Sequence, residues 1–386
     1  MPLSSDIVLT LFLPLILGLL AYHVSSLFTW AELASLLSLK RPLSRVGQYD
    51  GYSLPNAYKS YLTYRQLSSS QVRGMQRAYA TISRRHKRIG YDIGYPAKLR
   101  RLEETNEANG AVTDRIAQLA KEELGHELGS GTEALSINPS VARVREALKH
   151  FVRDWSSEGA EERERIFRPI LDILQQAPKK AGSRILLPGS GLGRLAYEIA
   201  QLDSSFDVTA NELSFYMNLA FRFLCSPKTT TEVDQHVVHP YAYWFSHQRR
   251  NGSLFRPVKF PDVVPRFGDN FRLVEQDFLT LQGEYDYIVT LFFIDTSTNI
   301  LATLDQIHTL LKPGGIWINL GPLLWCSGSQ AKMELSLEEV WEAARAVGFT
   351  IEEDSARTVP CEYTHDGQAM MKWIYQAEFW VARRGS

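Results

Sequence analysis

The stretch RILLPGSGLGRLAYEIAQL, residues 184–202, decides the fold of this chain. Its apolar start is typical of a buried strand, its glycines form a tight turn, and its end is typical of an amphipathic helix. Gly189, Gly191 and Gly193 let the backbone approach a ligand closely, and the helix N-terminus favours a negatively charged group. A glycine turn also occurs without a ligand, so the stretch alone leaves a nucleotide site and a structural turn equally open.

Further short apolar runs alternate with helical stretches as far as the C-terminus. These runs are DVTANE (207–212), FRLVEQDF (271–278), YDYIVTLFF (285–293), GGIWINLG (314–321) and AEFWVARR (377–384). Strands separated by helices predict an α/β fold with a doubly wound, mostly parallel sheet. Ligands of such sheets bind at the carboxyl ends of the strands, so the residues just after each run are the candidate site.

Acidic residues at the ends of the second and third runs favour a nucleoside cofactor. Glu212 lies about twenty residues beyond the glycine turn, where a carboxylate can accept hydrogen bonds from both ribose hydroxyls. Asp277 can accept from an adenine amino group while the Phe278 ring packs on the base. The turn LKPGG, residues 311–315, is typical of methyltransferases and unusual in dehydrogenases, which favours S-adenosyl-L-methionine over a nicotinamide cofactor. A surface Asp beside a core Phe and an ordinary turn are the alternative interpretations.

Composition argues against several other classes of function. The 386 residues include 42 Lys and Arg and 43 Asp and Glu, so the net charge of −1 provides no basic field for nucleic acid. The three cysteines, Cys225, Cys326 and Cys361, stand far apart without CxxC spacing, which indicates neither a disulfide framework nor a zinc site. We therefore expect no nucleic-acid partner, no metal and a reducing compartment.

The N-terminal segment, residues 1–38, is strongly apolar. No charged residue occurs from residue 7 to residue 31, which is near the length that spans a bilayer. Basic residues follow this run but none precedes it, which argues against a cleaved signal peptide. The pattern predicts a membrane anchor over residues 7–28 with the catalytic part in the cytosol. A buried or amphipathic helix broken at Pro14 and Gly18 is the alternative.

The sequence between this segment and the first strand is mainly helical. Residues 39–70, rich in Tyr, Ser and Pro, predict a linker. Residues 71–175 have apolar side chains at helical spacing, and the basic residues between 73 and 88 are typical of a solvated helix face. We therefore divide the chain into the apolar segment, the linker, this helical region and a catalytic domain over residues 176–386.

Longer motifs resemble the carnosine N-methyltransferase family over roughly residues 149–381. They are PGSGLGRLAYEIA, NELSFYM, FFIDT, LKPGGIWINLGPLL and MMKW. The resemblance implies the seven-stranded methyltransferase sheet and S-adenosyl-L-methionine as cofactor. It also implies cofactor contacts in the segment HFVRDWS, where Arg153 would bind the methionyl carboxylate and His150 replaces a family Gln. The complete set of cofactor contacts that we predict is His150, Arg153, Gly189, Gly191, Glu212, Asp277, Phe278 and Leu291.

The resemblance further implies an acceptor site for a small histidine-containing substrate. Asp295, in FFIDT, matches the family aspartate at the substrate imidazole, where a carboxylate would hold one ring N–H and leave the other nitrogen free to attack. Its alternative role is an N-cap for the following helix. Tyr363 and Tyr375 match two family tyrosines, and Trp373 replaces a third. Cys326 stands where the family motif has His, and a thiol cannot reproduce the two nitrogens of that ring.

These features predict an S-adenosyl-L-methionine-dependent N-methyltransferase that acts on an imidazole nitrogen of carnosine, forming anserine, or of a related histidine-containing compound. A methyltransferase for another small amine or for a protein histidine is one alternative. A protein that binds the cofactor without turnover is another, and a nicotinamide oxidoreductase is the last. The sequence carries no signal for the oligomeric state.

Overall fold

The computed structural model describes residues 50–130, 137–177, 180, 182–325 and 331–385. The anchor predicted over residues 7–28 lies outside these residues, as do residues 39–49 of the predicted linker and Cys326. In the part of the chain that is described, no helix combines the length and the apolar character needed to cross a membrane.

Helices and strands alternate along the second half of the chain, after a helical first half. The α-helices are α1 (Leu54–Leu62), α2 (Tyr64–Ala80), α3 (Arg84–Asp92), α4 (Tyr95–Ser130), α5 (Val141–Trp155), α6 (Ala160–Gln176), α7 (Arg194–Leu202), α8 (Phe215–Cys225), α9 (Asn251–Leu254), α10 (Ile300–Leu310) and α11 (Leu337–Val347). The strands are β1 (Ser183–Pro188), β2 (Phe206–Asn211), β3 (His236–Val238), β4 (Val258–Phe260), β5 (Phe271–Val274), β6 (Tyr285–Leu291), β7 (Leu311–Gly321), β8 (Phe349–Cys361) and β9 (Tyr375–Arg384).

Seven strands form one sheet in the order β5-β2-β1-β6-β7-β9-β8. Neighbours from β5 to β7 are parallel, whereas β9 runs antiparallel to both β7 and β8. The predicted α/β class and the mostly parallel, seven-stranded sheet are therefore confirmed. Because β5, β2, β1 and β6 run in one direction, their carboxyl ends meet at one edge of the sheet.

Both faces of this sheet are buried. Along β1, Ile185 and Leu187 belong to a core shared with α6 and α7, while Leu186 belongs to a second core shared with α10 and α11. Alternate side chains of one strand thus enter cores on opposite faces, as in a doubly wound fold. A ligand can then reach the central strands only at their ends.

Helix α1 packs against α8 of the catalytic region. The hydroxyl of Tyr61 donates to the Tyr216 carbonyl oxygen at 2.6 Å, and the hydroxyl oxygens of Ser60 and Tyr216 lie 2.8 Å apart. Burial raises the pKa of Tyr61 well above its ordinary range. Residues 54–62 and 64–70, which we predicted as part of a linker, are instead helical. The correction has a physical reason, because the Tyr and Ser side chains that suggested a linker find hydrogen-bond partners in the core.

Replacing Tyr61 by Ala is expected to lower the free energy of unfolding by about 3–5 kcal/mol, because it removes a fully buried ring and leaves a cavity. Tyr91, on α3, is a matched control because its side chain is 75% exposed. Tyr91→Ala should change the free energy by less than about 0.5 kcal/mol. Chemical denaturation of the full chain measures both variants, and equally small effects would show that α1 is not part of the folded core.

Candidate functional site

The turn after β1 owes its shape to glycines. Gly189 and Gly191 have φ angles of +66° and +56°, which other residues rarely adopt. A Cβ atom at Gly189 would lie 2.6 Å from Cδ2 of Phe293, whereas a Cβ atom at Gly191 would meet no described atom within 4 Å. Close packing therefore requires the first glycine, and the second faces open space where a ligand can approach the backbone.

Glu212 follows β2 directly and binds this turn. Its Oε2 atom accepts a hydrogen bond from the Gly191 N–H at 2.9 Å, and Oε1 accepts from the Ser214 N–H at 2.7 Å. The residue is only 9% exposed. Burial raises the pKa of its carboxyl group, and the backbone donors oppose that rise. The structure thus brings Gly191 and Glu212 together at the carboxyl edge of the sheet.

Asp277 lies at the same edge, shortly after β5, which is the neighbour of β2. Its Oδ1 atom accepts from the Leu279 N–H at 2.9 Å and caps the short helical turn Phe278–Thr280. The Phe278 ring is buried and meets the Phe293 ring edge-to-face, with 5.3 Å between centroids. Phe278 therefore packs in the core beneath the edge that carries the two carboxylates.

The end of β6 has an unusual backbone conformation. Leu291 is its last residue, and Phe292 after it has a φ of +50°. Positive φ is uncommon for a side chain of this size and often marks a functional site. The Phe292 ring lies 5.0 Å from the Tyr363 ring and 6.0 Å from the Tyr375 ring, measured between centroids. Phe292 therefore contacts two residues that we predicted to bind the substrate, Tyr363 and Tyr375. The sequence analysis did not identify Phe292 itself.

Asp295 lies in the short helical turn Ile294–Thr296 and is 6% exposed. Its Oδ2 atom accepts from the Leu324 N–H, beyond the end of β7, at 2.9 Å. Helix α10 begins after Asn299, so the alternative role of Asp295 as the N-cap of that helix is wrong. Burial raises the pKa of Asp295 to about 6, although backbone donors act to lower it. The fold thus provides a buried carboxyl group that titrates near neutral pH.

Helix α5 brings a buried ionic cluster to the same region. Arg153 donates from Nε to Asp154 Oδ1 at 2.6 Å and from Nη2 to Oδ2 at 3.1 Å. Burial disfavours both charges, but their attraction outweighs it, so the pKa of Arg153 is raised and the pKa of Asp154 is lowered. The Tyr363 hydroxyl lies 3.2 Å from His150 Nε2, and its ring centroid lies 4.8 Å from the Arg153 guanidinium carbon. Burial raises the pKa of Tyr363 to about 12.

Tyr363 also lines a cavity of about 150 Å³ that sequence reasoning missed. Residues 241–248 form one wall and residues 363–373 form much of the other. Trp373, a predicted substrate contact, lies at this cavity and is 70% exposed. The aromatic run HPYAYWF, residues 239–245, is the sequence feature that could have indicated this wall. It lies outside every strand and helix.

The sequence of this chain is similar to the sequences of known proteins. A family model for carnosine N-methyltransferase matches residues 132–386. Carnosine N-methyltransferase of Rattus norvegicus is 36% identical over 287 residues, which cover 71% of this chain and 70% of that protein. The carnosine N-methyltransferase of Schizosaccharomyces pombe is 30% identical over 361 residues, 86% of this chain and 95% of that protein. A solved structure of Haemonchus contortus phosphoethanolamine N-methyltransferase 2 with S-adenosyl-L-methionine is 16% identical, covers 63% of this chain and 60% of that chain, and has a TM-score of 0.37, too low to support an argument.

The raised pKa of Asp295 predicts a pH dependence of stability. Its pKa is about 6 in the folded protein against an ordinary value of 3.8, so the unfolded chain loses this proton first as the pH rises. Between these two values the unfolded state binds fewer protons, and the free energy of unfolding falls by about 3 kcal/mol in total. Denaturation from pH 4 to pH 8 should show this fall relative to Asp295→Asn, which cannot ionise. A difference between the two proteins that is constant with pH would contradict the raised pKa.

Proposed function

The chain belongs to the carnosine N-methyltransferase family, and we propose that it transfers the methyl group of S-adenosyl-L-methionine to an imidazole nitrogen of carnosine or of a related histidine-containing compound. The observation that carries this proposal is the buried carboxyl group of Asp295. It follows β6, the neighbour of β1, on the edge that holds Gly191 and Glu212. A cofactor at the glycine turn and an acceptor at Asp295 would therefore be neighbours.

The residues at the ends of β1, β2 and β5 fit the cofactor. Gly191 leaves room beside the backbone, and we assign the ribose hydroxyls to Glu212, which binds the same turn. We assign the adenine amino group to Asp277, with Phe278 and Leu291 as apolar support. When bound, S-adenosyl-L-methionine supplies an electrophilic methyl group on a sulfonium.

We assign the methionyl carboxylate to Arg153. Its guanidinium is held by Asp154 and lies against the Tyr363 ring, so its position is set before any ligand arrives. The raised pKa of Arg153 keeps it cationic throughout the physiological range. His150 Nε2 lies 3.2 Å from the Tyr363 hydroxyl oxygen. We propose that His150 orients this hydroxyl group and so holds the Tyr363 ring beside Arg153.

Methyl transfer to an imidazole requires that the ring be held in one orientation, and it requires no strong base. Above pH 6.5 an imidazole is largely neutral and already has a lone pair on one nitrogen. Asp295 would accept the N–H of the other nitrogen and stabilise the imidazolium that forms as the methyl group arrives. With a pKa of about 6 this carboxyl group is mostly ionised at pH 7, as the role demands. Tyr363 and Tyr375, which both contact Phe292, would complete the aromatic surroundings of the ring.

Cys326 stands where the family motif has His, so the proposal covers related histidine compounds as well as carnosine itself. The experiment that tests the proposed function is a methyl-transfer screen of carnosine, anserine, homocarnosine and histidine peptides, with mass spectrometry of the products. Transfer to an imidazole nitrogen of one of them is expected. Tight cofactor binding without transfer to any of them would support a protein without turnover instead.

Replacing Glu212 by Gln is expected to weaken S-adenosyl-L-methionine binding by about 1–3 kcal/mol, because the ribose hydroxyls lose a charged acceptor. Isothermal titration calorimetry measures the change, and a thermal melt checks that the turn still folds. Glu338→Gln, at the exposed start of α11, is the matched control and should leave affinity unchanged. An unchanged affinity in Glu212→Gln would remove this residue from the cofactor site.

Replacing Asp295 by Asn is expected to lower kcat by about 10²-fold while cofactor affinity stays nearly constant, because the amide keeps the shape but cannot stabilise the developing imidazolium. A methyl-transfer assay and calorimetry together measure this separation. Asp305→Asn, on the exposed side of α10, is the matched control. Full turnover in Asp295→Asn would mean that the acceptor binds elsewhere.

A further inference from the structure

Helix α3 (Arg84–Asp92) concentrates positive charge on the surface of the protein. Its sequence, RRHKRIGYD, contains four permanent cations and a single carboxylate, that of Asp92. The cations are Arg84, Arg85, Lys87 and Arg88, and all four residues are exposed. The whole chain has a net charge of −1, so this helix is much more basic than the protein as a whole. Charge concentrated in this way attracts an anionic partner from a distance.

The cations of α3 lack the carboxylate partners that surface arginines have elsewhere. Arg168 pairs with Glu164 at 2.8 Å, and Arg345 pairs with Glu353 at 2.6 Å. Among the described residues, by contrast, no carboxylate oxygen lies within 4.0 Å of a charged nitrogen of the four cations on α3. The positive charge of this helix is therefore uncompensated within that part of the chain.

The order of charges along α3 opposes the helix instead of stabilising it. Arg84, Arg85 and Lys87 lie at its start, and its first turn contains no acidic residue. The N-terminus of a helix has a positive partial charge that disfavours cations. Arg84 and Arg88 are also four residues apart, a spacing at which like charges repel. Local stability does not explain these cations, and a break of a local rule of this kind is expected at a functional surface.

Exposed apolar side chains lie among the cations. Tyr91 and Ile93 are 75% and 76% exposed, and Ile82 and Ile89 are exposed as well. Single exposed apolar residues are ordinary on protein surfaces, but several close together indicate a binding surface. We call the exposed residues from Ile82 to Ile93 the basic platform. It combines positive charge with apolar side chains that leave the protein surface.

Helix α2 holds the basic platform in place. Gly90, the buried residue of α3, faces Tyr79 so closely that a Cβ atom there would lie 2.4 Å from the tyrosine hydroxyl oxygen. The same hydroxyl donates to the Lys87 carbonyl oxygen at 2.7 Å. The Tyr79 ring also contacts the Tyr95 ring at the start of α4, with 5.0 Å between centroids. The helix is thus fixed along the line of its glycine, and its other residues are exposed.

We infer that the basic platform docks on the anionic surface of a phospholipid membrane. Acidic headgroups supply the negative charge that α3 lacks, and each cation near such a surface strengthens binding. Tyr91, Ile89 and Ile93 enter the boundary between headgroups and acyl chains, where an amphipathic tyrosine is favoured. A nucleic acid would satisfy the cations through its phosphates but would offer no apolar layer to the isoleucines. The mixed chemistry of the platform therefore favours lipid.

This inference is independent of the proposed function, because no residue of the basic platform belongs to the predicted cofactor or acceptor site. It is also distinct from the anchor predicted over residues 7–28. An apolar anchor would bind vesicles whatever the charge of their lipids, whereas the basic platform responds to lipid charge and to salt. Lipid charge is therefore the variable to test.

The test is flotation of the full chain with vesicles of phosphatidylcholine alone and with vesicles of phosphatidylcholine and phosphatidylserine. Wild-type protein should bind the anionic vesicles about tenfold or more tightly, and high salt should remove this preference. Arg84→Gln combined with Arg88→Gln should bring the preference close to one. Ile93→Ser should weaken binding to anionic vesicles but keep its dependence on salt.

Lys121→Gln combined with Lys259→Gln is the matched control, because it removes two exposed cations that lie outside α3. This control should bind both kinds of vesicle as the wild type does, and thermal melts should show that every variant is folded. Equal binding of wild type to both vesicles overturns the inference, as does a preference that survives in the double arginine variant.

Two other partners are distinguished by the same variants. Binding of duplex RNA that is lost with the two arginines but unaffected by Ile93→Ser, without a lipid preference, assigns the platform to nucleic acid and overturns the inference. Self-association in sedimentation velocity that is lost in the double arginine variant, again without a lipid preference, assigns the platform to a second copy of the chain and overturns it as well.

Discussion

The burial of both sheet faces is the constraint on which the site depends. Leu186 and its neighbours in β1 enter cores on opposite sides, so no polar group can face a ligand from the middle of a strand. Function is left to the edge where parallel strands end, and Glu212 and Asp295 are both there. Each of these carboxyl groups is buried and bonded to a backbone N–H, which holds it in place.

A second set of contacts ties α5 to this edge. The Trp155 indole N–H donates to the Leu192 carbonyl oxygen in the glycine turn at 2.8 Å. Arg194, at the start of α7, donates to the Asp154 carbonyl oxygen at 3.0 Å and to Asp262 at 2.5 Å. Arg163 on α6 binds the other oxygen of Asp262, also at 2.5 Å. The helix that carries Arg153 is therefore fixed to the glycine turn, and the two halves of the proposed cofactor site cannot shift independently.

The sequence alone was enough to predict those parts of the site that depend on residues close together in the chain. The glycine turn and Glu212 lie close together in sequence, and their spacing follows from one strand, one turn and one helix. Strand β8 was not among the runs we recognised, because FTIEEDSARTVPC carries several charges, which suit an edge strand but hide its apolar residues. The linker prediction failed at α1 for a nonlocal reason, because the acceptor for the Tyr61 hydroxyl lies 155 residues away. The wall at residues 241–248 and the pKa of Asp295 likewise depend on tertiary contacts that no local pattern shows.

The packing of α1 and α4 limits where this protein can be truncated at its N-terminal side. Similarity to the family model begins at residue 132, but the core that includes α8 also takes side chains from both of those helices. A fragment that starts at the similarity boundary would uncover Tyr216 and Phe223, which are almost completely buried in the intact chain. Newly exposed aromatic surface of this kind promotes aggregation. The region that the family model matches is thus shorter than the folding unit, and a fragment intended to fold should begin before α1.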